Sequence, residues 1–106
     1  PDPGLLLSTP GERGGHVRAT LDRRGTYAFV YLPLAGQSVT IDMSRMAGPV
    51  KAWWYDPRNG RSYAIGEYKN QGALTFNSPL GGPDWVLVLD EAARNFPPPG
   101  VVAEKS

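Results

Sequence analysis

Val50-Lys51-Ala52-Trp53-Trp54-Tyr55-Asp56-Pro57-Arg58-Asn59-Gly60 decides the fold. Apart from Lys51, its first six residues are β-branched, aromatic or small, and they run straight into a five-residue stretch with turn chemistry at every place. Asp56 can accept hydrogen bonds from the backbone that follows it, Pro57 pre-sets φ, and Asn59-Gly60 tolerates left-handed backbone. That is a strand entering a hairpin. Because strand side chains alternate, Trp54 points to one sheet face while Trp53 and Tyr55 point to the other. A second strand, Asp84-Trp85-Val86-Leu87-Val88-Leu89-Asp90, has almost no polar interior.

Working outward, Val17, Ala19 and Leu21 alternate with Arg18 and Thr20, the period-two pattern of a half-buried strand. Asp22-Arg23-Arg24-Gly25 supplies a tight turn, with glycine where φ can be positive. Thr26 to Leu32 is apolar on both faces: Ala28, Val30 and Leu32 on one, Tyr27, Phe29 and Tyr31 on the other. A strand like that is central, or its second face is covered. Val39 and Ile41 mark a third strand, Asp42-Met43-Ser44-Arg45-Met46 fits one helical turn, Tyr63 and Ile65 mark the strand returning from the hairpin, and Leu74 and Phe76 another. Seven short strands at this spacing, with Gly and Pro between them, predict an all-β antiparallel β-sandwich. Val17, Ala19, Leu21, Val39, Ile41, Trp54, Leu74, Phe76, Trp85, Leu87 and Leu89 are the expected core. The domain expectation is residues 1–90 as the sandwich, with 91–106 as a Pro-rich tail in which Pro97-Pro98-Pro99 favours extended polyproline II backbone. The opening Pro1-Asp2-Pro3-Gly4 reads as an inter-domain linker.

At 106 residues the chain is one domain, long enough to bury roughly 65% of its unfolded surface and so to hold a core of its own. Net charge is +1 with the basic residues dispersed, which gives no electrostatic footprint for nucleic acid or an anionic membrane. Cysteine is absent, so disulfides and thiolate metal sites are excluded. His16 is the one histidine and has no partner ligand near it in sequence; a solvent-facing loop is its expected place, and no metal or cofactor is expected. Asp22, Asp42, Asp56, Asp84 and Asp90 fall at strand ends or turns, where aspartate caps backbone groups, so a glycosidase-type carboxylate pair is disfavoured. Gly81-Gly82-Pro83 precedes a strand, not a helix, and is no phosphate cradle. No catalytic residues are expected. The aromatics stay open: Trp53 and Tyr55, with Tyr27, Phe29 and Tyr31, form either an interface with a neighbouring domain or a stacking platform for a ligand.

Taken together, Val17-Arg18-Ala19-Thr20, Gly25 to Pro33, Lys51 to Gly60 and Asp84 to Asp90 resemble the family described as "putative collagen-binding domain of a collagenase", from about Leu5 to Asp90. That resemblance implies a C-terminal β-sandwich that follows a TIM-barrel, glycosidase-like catalytic domain in bacterial proteins. It further implies a non-catalytic accessory role, an exported or periplasmic parent and the barrel of the same chain as partner. A binding module for polysaccharide or collagen is the alternative. The family carries no catalytic residues in this domain, so none transfers.

Overall fold

The computed structural model describes residues 5, 17–34, 36–81 and 84–94. Seven strands follow in order: β1 (Arg18–Leu21), β2 (Tyr27–Leu32), β3 (Ser38–Asp42), β4 (Val50–Asp56), β5 (Arg61–Tyr68), β6 (Ala73–Asn77) and β7 (Trp85–Glu91). They form a five-stranded sheet in the order β1-β2-β7-β4-β5 and a two-stranded sheet of β3 and β6, with every pairing antiparallel. The architecture is the expected β-sandwich. The hairpin sits where the turn chemistry placed it: Gly60 N donates to Asp56 O at 2.8 Å, with Gly60 at φ +73°.

Pairing register decides which face of each strand is the core. Val30 lies opposite Leu87, Ala28 opposite Leu89, and Leu32 opposite Trp85; on the other side of β7, Trp54 is opposite Leu87 and Ala52 opposite Leu89. These side chains share one face and are buried together with Val39 and Ile41 of β3 and Phe76 of β6. Trp54 therefore points inward, as alternation allowed, and Trp53 and Tyr55 outward. Leu21 and Leu74 correct the expected core: both are only partly buried against it. Leu21 is the last residue of edge strand β1, and Leu74 is the second residue of β6, in a sheet of two strands, so both lie near the end of a strand with one neighbour.

Met43, Met46 and Leu5 also belong to the core. Met43 opens a 3₁₀ turn (Met43–Arg45) and Met46 follows it; Asp42 caps the Ser44 amide there, and both methionine side chains are buried. Leu5 is fully buried, its carbonyl accepting from Asp42 N at 2.8 Å. Of the expected tail, Glu91 is the last residue of β7 and Ala92–Arg94 form another 3₁₀ turn; residues 95–106 lie outside the described residues, as does His16.

Candidate docking face

The outer face of the five-stranded sheet carries the candidate residues as cross-strand rows. In the middle row Thr20, Phe29, Val88, Trp53 and Ala64 lie side by side on β1, β2, β7, β4 and β5. The next row is Arg18, Tyr31, Val86, Tyr55 and Ser62. On the other side of the middle row come Tyr27, Asp90, Lys51 and Glu67. All five expected residues thus share one surface, with Tyr27 and Phe29 in ring contact at 5.3 Å. Across the register shift between Ala52 and Trp53 the extra residue is Ile65 of β5, and this bulge sets a small residue, Ala64, beside Trp53 on the outer face.

Neither strand of the second sheet pairs with or belongs to this face, yet its centre is closed. Val88 retains 4% exposure and stands outside the core cluster, and Asp90 retains 6%. Both are short side chains of β7 between larger ones on β2 and β4, so the aromatic rows shield the central strand. Phe29, at 45% exposure, is the large apolar side chain the face leaves bare. Val86, Val88 and Asp90 are not assigned to this face by the sequence, because β7 is apolar on both sides and gives no sign of which alternate set faces out.

Polar groups mark two ends of the face. At one, the Tyr31 hydroxyl donates to Asp84, a non-glycine residue with φ +70°; the carboxylate beside it raises the Tyr31 pKa. At the other, Asp90 is the exception to the expectation that aspartates here cap backbone: it sits within β7 opposite Tyr27 and Lys51. Burial raises its carboxyl pKa, and the neighbouring Trp53 indole N–H and Lys51 charge oppose that rise without cancelling it. Trp53 Nε1 is itself fully buried beside this carboxylate without an aligned hydrogen bond.

Asp22 and Asp56 do what turn positions require. Asp22 accepts from Thr26 Oγ1 at 2.6 Å and from the amides of Arg24 and Thr26, which lowers its pKa. Asp56 accepts from Arg58 N, Nε and Nη2, each at 2.9 Å. Arg58 in turn lies 5.7 Å over the Trp85 ring, which meets Trp54 edge-on at 6.4 Å and Tyr63 at 6.1 Å. Among the described residues no group of three His, Cys, Asp or Glu side chains is placed to hold a metal, and no helix is long and apolar enough to cross a membrane.

The Asp56–Arg58 clasp has a pH signature. Hydrogen bonds from the Arg58 side chain hold the Asp56 carboxyl below the ordinary 3.8. The unfolded chain therefore binds a proton more readily than the folded one, so this stabilisation is complete above the unfolded value and is lost as pH falls through the folded one. Asp56→Asn is expected to flatten the acid limb of a melting-temperature profile between about pH 5 and pH 2. An unchanged acid limb would mean the clasp contributes nothing to acid stability. Asp90 acts with the opposite sign: its raised pKa means folded stability gains from protonation as pH falls through that value.

A family model described as "putative collagen-binding domain of a collagenase" matches residues 1–90. The chain is also similar to a solved glycoside hydrolase family 5 protein from Bacteroides vulgatus ATCC 8482, at 33% identity and a TM-score of 0.73, covering 88% of this chain and 20% of that one. A second solved structure, described as a glycoside hydrolase, is 30% identical with a TM-score of 0.74, over 88% of this chain and 21% of its own. The chain thus spans about a fifth of the length of these structures. No curated protein matches it.

Proposed function

The chain belongs to the family described as "putative collagen-binding domain of a collagenase", and from that premise we propose that it is a non-catalytic accessory domain of a glycoside-hydrolase-like parent, seated against the parent's catalytic barrel by the outer face of its five-stranded sheet. The observation that carries this reading is the aromatic surface itself. A sandwich needs one apolar face per sheet, and here the second face of the larger sheet holds Tyr27, Phe29, Tyr31, Trp53 and Tyr55. Contacts between domains of one chain cover roughly 600–1,500 Å², within reach of a five-stranded face. The likeness to one fifth of two glycoside hydrolases supports a parent whose catalytic residues stand outside this chain. The family resemblance supports a bacterial, exported parent.

Under this reading Trp53→Ala lowers the melting temperature of the intact parent by more than it lowers that of the domain alone, and it leaves retention on insoluble polymers unchanged. Calorimetry of both proteins, with pull-down on polysaccharide and collagen, is the measurement. If the domain alone binds an insoluble polysaccharide or collagen, and Trp53→Ala abolishes that binding, docking is wrong and the face is a polymer-binding platform.

A further inference from the structure

The docking face is apolar in its middle but ends in the row Tyr27, Asp90, Lys51 and Glu67, where two carboxylates flank one ammonium group. Asp90 is the unusual member: a carboxylate with 6% exposure, on a sheet face over which, among the described residues, no second layer of strands lies. Trp53 Nε1 lies alongside it, buried and without an aligned hydrogen bond. A carboxylate taken out of water to this degree is costly unless hydrogen bonds and a counter-charge replace the lost solvent. Lys51 is placed between Asp90 and Glu67, so the row sets two acidic residues beside one basic residue. Closing a partner surface over the row would remove the water that now reaches Asp90 along with its remaining exposure. A purely apolar partner would therefore oppose its own docking at this corner.

Resting on the docking reading above, we propose that the surface seated on this face presents a basic side chain to Asp90, and that this pair fixes the orientation of the domain on its parent. Arginine fits best. Its planar guanidinium is weakly hydrated, so it tolerates burial between aromatic side chains, and it offers forked donors to a carboxylate. Tyr27 and Trp53, on the neighbouring strands, supply the aromatic surface such a group stacks on. The raised pKa of the Asp90 carboxyl in the absence of the partner accords with a charge that lacks full compensation.

The neutral isostere separates this pair from general apolar contact, because its effect is expected to change sign between two settings. In this chain alone, Asp90→Asn removes a poorly solvated charge and is expected to leave the melting temperature unchanged or raise it. In the intact parent the same substitution leaves the partner's basic group buried without its anion, so the temperature at which the domain uncouples is expected to fall. Phe29→Ala, which trims the bare apolar centre of the face, serves as the reference. If Phe29→Ala lowers the uncoupling temperature but Asp90→Asn leaves it unchanged, or raises it in parallel with the isolated chain, the face docks without a basic partner and the inference is overturned. If neither substitution moves the parent, the docking reading itself fails, and this inference with it.

Discussion

Trp85→Ala is expected to destabilise the domain by about 3–5 kcal/mol, the range found when a buried aromatic side chain is deleted and its site only partly collapses. Three features place Trp85 there. It opens β7, the middle strand of the larger sheet, and its backbone is held opposite Leu32, so it cannot easily retreat into the space left. Its ring is 5% exposed and is met by Trp54 and Tyr63 edge-on, contacts that add to plain burial. The Arg58 guanidinium lies over it while bound to Asp56, so the substitution also loosens the clasp that closes the β4–β5 hairpin. Chemical denaturation followed by far-ultraviolet circular dichroism measures the loss. A value below about 1 kcal/mol would mean that the ring is not an anchor of the core, against the burial described above.

How far the sequence discloses this arrangement differs from one element to the next, for physical reasons. The 56–60 turn was legible because its signals are local: an aspartate, a proline and an Asn-Gly pair act on backbone within five residues. The placing of Trp54 against Trp53 and Tyr55 on opposite faces was equally legible from the pleat, but which face is the core was not. That depends on β4 lying against β7, a pairing between residues more than thirty positions apart. For β2 and β7, apolar on both sides, alternation is silent and only register assigns Val88 outward and Leu87 inward. The division into sheets of five and two strands is non-local for the same reason. Met43 and Met46 escaped because a 3₁₀ turn buries residues three apart, a spacing masked by the strands around it. The five aromatic candidates lie on one surface, whereas the burial of Asp90 is not legible, because a strand-end carboxylate and a buried outer-face carboxylate look alike in sequence.

Gly25→Ala is the second substitution expected to have a large effect, and its cost arises from backbone and space together. Gly25 closes the β1–β2 turn, its amide donating to Asp22 O at 2.9 Å, with φ +71°, a conformation that costs an L-residue roughly 1–2 kcal/mol. Its carbonyl also accepts from Ala47 N at 2.8 Å, which pins the turn to the segment after the Met43–Arg45 turn. A methyl group at Gly25 would stand 2.7 Å from Arg45 O and 3.1 Å from Ala47 N, both backbone atoms that cannot rotate aside as a flexible side chain would. Relief requires moving that segment, and with it Met43 and Met46, which are buried in the core. Overpacking of this kind adds about 1–3 kcal/mol, so the total is expected to reach roughly 2–5 kcal/mol. Gly60 isolates the two contributions. Its φ is +73°, nearly that of Gly25, but a methyl group there meets nothing within 4 Å. Gly60→Ala should therefore show the conformational cost alone, about 1–2 kcal/mol. The difference between the two variants in equilibrium unfolding measures the contact with Arg45 and Ala47. Equal losses at the two positions would mean that the 45–47 segment yields freely, and that the methionines it carries are not held by the turn at Gly25.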